Sequence, residues 1–260
     1  MEKKGQKRIK HPVINKVLIT QPKPESEKSP YFLLERKYNL NLTFHPFIRI
    51  EGVSSKDFRK QKIDIQSFTN FIFTSRHAID HFFRLAEELR VSIDQDSKYF
   101  CISESVALYL QKFIHYRKRK VFFGNDGANK SLVDILLKHK SNERFLFPCS
   151  DHADNEIVAM LRGNECLFDL PVMYKTVSND IRQLVEEGNF DLICFFTSSG
   201  VKSLFENIPN YNQDSTLIGA FGAGTVKSVL DAGLQLSIKA PEPKVPSMAA
   251  AIELFLGSPK

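Results

Sequence analysis

The chain has 260 residues, 42% hydrophobic and 25% charged, which is enough for two domains with buried cores. Lysine and arginine outnumber aspartate and glutamate by 36 to 30, a net charge of +6 that favours acidic partners. No stretch approaches the roughly twenty apolar residues of a membrane span, and no apolar run follows the charged N-terminus, so neither a membrane partner nor a signal peptide is expected. Cys101, Cys149, Cys166 and Cys194 include no CxxC pair. Cys101 and Cys194 lie inside apolar runs and read as buried small hydrophobes in a reducing compartment, which places the protein in the cytoplasm.

Residues 1–15 read as a basic tail, with Lys3, Lys4, Lys7, Arg8 and Lys10 close together. The tail and a second basic run, Arg117 to Lys120, read as solvated surface, with contact to an anionic partner as the alternative. From Val17 the chain alternates between strands and helices. Val17 to Thr20 is a strand, Ser29 to Lys37 a helix, and Leu40 to Ile50 an extended stretch interrupted at Pro46. Phe68 to Thr74 is a strand, followed by a helix whose Ile79, Phe82, Phe83, Ala86 and Leu89 recur at helical spacing. Strands at Lys98 to Ile102, Val121 to Gly124 and Phe145 to Pro148 alternate with helices at Ser105 to Phe113, Leu132 to Leu137 and Ile157 to Leu161. Leu167 to Tyr174 is extended.

The last third repeats the scheme. Strands at Asp191 to Thr197, Leu217 to Phe221 and Leu236 to Ile238 alternate with helices around Val201 to Ile208, Thr225 to Leu230 and Met248 to Leu256. Gly233 closes the second of these helices. Such alternation predicts an α/β fold with parallel sheets covered on both faces.

Phe71-Ile72-Phe73-Thr74-Ser75 matches Phe195-Phe196-Thr197-Ser198: each is an apolar strand that ends in Thr-Ser and enters an amphipathic helix. Each is followed by a second strand ending in small or hydroxylic residues, Ser103-Glu104-Ser105 and Gly222-Ala223-Gly224-Thr225. The C-terminal ends of parallel strands are where ligands bind in such sheets. Hydroxyls and first-turn backbone N–H groups there favour an anion, and glycine allows close approach. Helix capping alone explains the same residue types.

Other patterns point elsewhere less well. Gly222-Ala223-Gly224-Thr225-Val226-Lys227 begins like a dinucleotide fingerprint, but Lys227 replaces the third glycine. His77 and His81 share a helix face without a third metal ligand, which reads as the flank of a surface helix, and no metal or other cofactor is expected. No nucleic-acid reading module accompanies the basic tail, so nucleic acid is not an expected partner.

Taken in order, these motifs resemble the uroporphyrinogen-III synthases. The resemblance rests on Phe73-Thr74-Ser75, Phe145-Leu146-Phe147-Pro148-Cys149, Val172-Met173-Tyr174-Lys175-Thr176, Phe196-Thr197-Ser198 and Gly222-Ala223-Gly224-Thr225. A proline-rich lead-in to the last helix, Pro241 to Pro246, completes it. It implies two flavodoxin- or Rossmann-like domains with parallel sheets, joined by two extended linkers. Domain one would comprise 16–45 plus 178–260 and domain two 54–170, with 46–53 and 171–177 as linkers. The sequence departs from the family pattern at Gln21, Ser103, Val106, Ala153 and Asp154.

The resemblance further implies a cofactor-free lyase that closes hydroxymethylbilane, a linear tetrapyrrole rich in carboxylates, with inversion of its last ring. Tyr174 would be the catalytic acid, since a phenol with a pKa of about 10 stays protonated at neutral pH. A half-buried tyrosine capping a linker carbonyl is the alternative for that residue. Substrate binding would fall to Thr74, Ser75, Ser103, Ser105, Thr197, Ser198, Gly224, Thr225 and Lys227. A monomer taking its substrate from hydroxymethylbilane synthase is expected. The departures motivate an alternative function, a non-catalytic two-domain binder of an acidic small molecule.

Overall fold

The computed structural model describes residues 14–139, 143–151, 155–243 and 245–257. Almost all of the basic tail, together with Ala153 and Asp154, lies outside them. The chain divides into two compact units, one formed by residues up to Arg49 and from Val177 onward, the other by Ile50–Thr176.

Strand β1 (Lys16–Ile19), helix α1 (Pro30–Tyr38) and strand β2 (Asn41–Phe44) begin the first unit, and β3 (Ile48–Gly52) leads out of it. The second unit contains α2 (Ser55–Arg59), β4 (Asn70–Phe73), α3 (Arg76–Glu88), β5 (Lys98–Cys101), α4 (Glu104–Tyr109) and β6 (Val121–Phe123). It continues with α5 (Asn129–Lys138), β7 (Arg144–Leu146), β8 (Cys149–Ser150), α6 (Asn155–Gly163) and β9 (Leu167–Asp169). β10 (Val172–Ser178) returns the chain to the first unit. There α7 (Arg182–Gly188), β11 (Leu192–Phe195), α8 (Ser198–Asn207), β12 (Leu217–Phe221), α9 (Ala223–Asp231), β13 (Leu236–Ala240) and α10 (Met248–Gly257) follow.

The first unit's sheet has the order β13-β12-β11-β1-β2, and its neighbouring strands are parallel throughout. The second unit's sheet runs β6-β5-β4-β7-β9, again parallel. In chain order within each unit the first sheet runs 2-1-3-4-5 and the second 3-2-1-4-5, so the two arrangements are related by circular permutation, with β11 standing where β4 stands and β12 where β5 stands. The sequence repeat between Phe73-Thr74-Ser75 and Phe196-Thr197-Ser198 is the visible part of this equivalence.

Both faces of each sheet are covered, as near-continuous apolar strands demand. Alternate strand residues enter different cores: Phe71 and Phe73 join one cluster and Ile72 another. Val17 and Ile19 likewise part from Leu18. Cys101 and Cys194 are fully buried inside these cores, and burial pushes the Cys101 thiol up to about 12. The stretch Leu167 to Tyr174, read as one extended segment, is two strands in different sheets. Pro171 separates them, since it has no N–H with which to continue a ladder. β10 instead joins a small sheet of order β3-β10-β8.

The roots of the connecting strands are fixed by polar side chains. In the first unit the Phe47 carbonyl accepts the Asn179 N–H at 2.9 Å and the buried Ser203 hydroxyl at 2.7 Å. Asn207 donates to the carbonyls of Asn179 and Ser203 and accepts from the Ile181 N–H. In the second unit the Gln61 carboxamide pairs with both the N–H and the carbonyl of Val172, at 2.9 and 2.8 Å, as a neighbouring strand would. Replacing Ser203 with Ala removes one of two donors to a buried carbonyl. The expected loss is about 1 kcal/mol, read as a lower denaturation midpoint with unchanged m-value.

Candidate active site

The sequence-predicted residues fall on adjacent strand ends within each unit. In the second unit β4 and β5 are paired neighbours, and their C-terminal ends carry Thr74-Ser75 and Ser103-Glu104-Ser105. In the first unit β11 and β12 are paired, and carry Thr197-Ser198 and Gly222 to Thr225. Each unit therefore places two of the four turns side by side.

The hydroxyls have defined work. Ser75 is the N-cap of α3, its oxygen accepting the Ala78 N–H at 3.1 Å. Thr197 caps α8 by accepting the Gly200 N–H at 3.0 Å. A hydroxyl that accepts a backbone N–H keeps its own proton to donate, so capping and ligand binding are compatible here. Ser103 stands at the N-cap of α4 without a side-chain cap bond; its oxygen lies 3.1 Å from that of Ser105. Ser198 donates to the Gly224 carbonyl at 3.1 Å and so ties the two turns of its unit together. Gly222 has φ +88°, a conformation that strains any residue with a Cβ. Thr74 is half-buried, whereas Ser105, Thr197, Ser198, Gly224 and Lys227 are exposed.

Thr225 is different, being only 4% exposed in the first turn of α9. Its counterpart in the repeat is Val106, 7% exposed and packed in the second unit's core. This position turns inward in both units. The departure from the family pattern at Val106 thus removes no exposed hydroxyl.

Tyr174 lies on β10, held by Gln61 through Val172 and by β8, where its own carbonyl accepts the Asp151 N–H at 3.2 Å. Its phenol oxygen is 3.2 Å from Ser75 Oγ and caps no linker carbonyl. The residue is 9% exposed, and burial raises the phenol above its ordinary value of 10. The Ser75 hydrogen bond works against that rise, while Cys149 and Asp151 add to it. The group is consequently a neutral donor at physiological pH.

The reading of His77 and His81 as a surface flank is incomplete. The His81 ring stacks on Tyr174 with centroids 5.2 Å apart and planes 19° from parallel, and His77 lies at 6.4 Å. Burial, with Arg84 and His77 nearby, lowers the His81 pKa below its ordinary 6.5, against a smaller opposing effect of Asp80. The i, i+4 histidine spacing beside a Thr-Ser turn was the available signal. Among the described residues no three His, Cys, Asp or Glu side chains are grouped to hold a metal, and no helix is long and apolar enough to cross a membrane.

Two parallel-sheet α/β units, each with paired hydroxyl-bearing turns at its strand ends, define a class of two-domain α/β proteins. The comparisons narrow this class. A family model described as uroporphyrinogen-III synthase HemD matches residues 33–250, and the chain belongs to that family. It is accordingly an enzyme, a lyase of haem biosynthesis, and the non-catalytic alternative is not favoured.

Solved structures agree in fold. A uroporphyrinogen-III synthetase from Helicobacter pylori is 16% identical with a TM-score of 0.57, covering 94% of this chain and 99% of that one. A mutant uroporphyrinogen III synthase from Thermus thermophilus is 14% identical with a TM-score of 0.54, covering 93% and 97% respectively. No significantly similar sequence is found among the curated proteins.

The lowered His81 pKa has a consequence for stability. As pH falls through 6.5 the unfolded chain takes up the proton first, so folding stability falls with it. Histidine NMR titration should show His81 protonating below 6.5, and His81→Phe should flatten the acid side of the stability profile.

Proposed function

We propose that this chain cyclises hydroxymethylbilane, with inversion of the terminal ring, to uroporphyrinogen III and water. The observation that carries the mechanism is the buried Tyr174 phenol, kept protonated and directed at Ser75. The phenol proton passes to the terminal hydroxyl of the substrate, which departs as water while the adjacent pyrrole nitrogen pushes electrons into the resulting azafulvene. The far end of the chain attacks that electrophile through a spiro intermediate. Loss of a ring proton after rearrangement restores aromaticity, and a proton returns to the phenolate.

Closure of this substrate also occurs unaided, without inversion, giving the type I isomer. The protein's contribution is therefore selection between two closures, and positioning supplies most of it. Thr74, Ser75, Ser103, Ser105 and Thr197 supply hydroxyls, and Ser198 and Gly224 first-turn N–H groups, for the substrate's carboxylates, since the Ser198 hydroxyl proton is given to the Gly224 carbonyl. Lys227 adds charge at the start of α9, and Thr225 contributes through its backbone because its side chain is buried. The enzyme works as a cytoplasmic monomer and takes its substrate from hydroxymethylbilane synthase.

Isomer analysis after incubation with hydroxymethylbilane tests this reading. Type III in excess of type I is expected, and type I alone would overturn it. Tyr174→Phe should slow type III formation by about 10²-fold while leaving the fold intact by circular dichroism. Unchanged turnover would remove Tyr174 from the mechanism.

A further inference from the structure

Arg84 meets three different acceptors, one with each of its nitrogens. Nη1 contacts Glu88 at 2.5 Å, Nη2 donates to the Val53 carbonyl at 2.8 Å, and Nε donates to His81 Nδ1 at 3.3 Å. A guanidinium has no acceptor and does not lose its proton in proteins. His81 Nδ1 must therefore be the acceptor, which leaves it unprotonated and places the ring's proton on Nε2. The hydrogen bond thus selects a neutral imidazole and one tautomer of it.

This ring is the one stacked on Tyr174. The other end of the Arg84 fork reaches the strand beside it, since the Val53 N–H donates to the Met173 carbonyl at 2.9 Å, one residue before Tyr174. Arg84 thereby ties together α3, the end of β3 and the backbone next to the phenol. Gly52 makes the approach possible: a Cβ there would lie 2.7 Å from Arg84 Nη2 and 2.9 Å from His81 Nδ1.

We infer that His81 is a positioning residue for Tyr174: a neutral imidazole, pinned by Arg84, that fixes the phenol's direction towards Ser75. This rests on the reading of Tyr174 as the acid. The ring has no need to touch substrate, because it acts by removing the phenol's freedom to rotate away. Protonation of Nδ1 sets an imidazolium N–H against the Arg84 Nε–H, so the clamp opens on the acid side. The titratable and charged groups around His81 are His77, Asp80 and Arg84 on its own helix and Tyr174 on β10. The β3 segment presents Gly52 and the uncharged Val53 carbonyl.

The test measures type III turnover for wild type, His81→Ala, His81→Phe and Gly52→Ala across pH 5 to 9, each first checked for folding by its thermal melt. His81→Ala should lower kcat by tenfold to about a hundredfold, with KM within about twofold of wild type because no substrate contact is lost. His81→Phe keeps a flat ring but cannot titrate, so it should retain more activity than His81→Ala and lose the wild-type decline at acid pH. Gly52→Ala should follow His81→Ala.

In a Tyr174→Phe background the His81→Ala change should add nothing further. Wild-type kcat in His81→Ala, an acid decline unchanged in His81→Phe, or full additivity with Tyr174→Phe would each overturn the inference. A wild-type protein forming only type I would instead overturn the proposed function. In that case the clamp is judged by NOEs between the Tyr174 ring and Ser75, which should weaken in His81→Ala and stay as in wild type if the inference is wrong.

Discussion

A hydroxyl at a helix N-cap accepts one backbone N–H and still holds a proton that it can give. The structure depends on this at Ser75 and Thr197, where the same oxygen ends a parallel strand, starts a helix and remains a donor. Loss of either cap would cost about 1 kcal/mol of helix stability. Because the strands are parallel, every such cap in a unit lies at the same end of its sheet. The fold therefore gathers donors without calling on many charged side chains, which suits the carboxylate-rich substrate proposed for it.

In the proposed mechanism Tyr174 extends the same logic from binding to chemistry. Burial raises its pKa, while Ser75 offers a partner that partly opposes the rise. A phenol set this way gives up its proton only when a stronger demand, such as a departing hydroxyl, is placed next to it. The surrounding contacts hold the group in one place. Gln61 pins Val172 from the side, the Asp151 N–H holds the tyrosine's own carbonyl, and His81 covers the ring. The adjacent strand end carries Ser103 and Ser105, whose hydroxyl oxygens lie 3.1 Å apart.

Much of the fold was legible in the sequence because its strands are buried on both faces. Runs such as Phe71-Ile72-Phe73 and Leu192-Ile193-Cys194-Phe195 have little polar alternation to obscure them, and Thr-Ser at their ends marks the caps. Helix α7 was harder to see, as it is short, largely polar and has no fully buried residue. Strand order was also out of reach of local pattern, since β1 finds its partner β11 across most of the chain. The candidate site was legible where it is made of caps and illegible where it depends on distant hydrogen bonds. Gln61 reads as an ordinary surface glutamine until Val172 is beside it. His81 falls outside the apolar stripe of α3, and what covers it comes from a strand far along the chain. Thr225 shows the opposite failure: a promising motif residue whose side chain turns into the core.

The central claim is that these capped turns receive the carboxylates of a tetrapyrrole. Amide hydrogen exchange measured with and without uroporphyrin III, a stable oxidised form of the product, tests it most directly. New protection should concentrate in the first turns of α3, α4, α8 and α9 and around Tyr174. Protection confined to other surfaces, with those turns exchanging as in the free protein, would contradict the account.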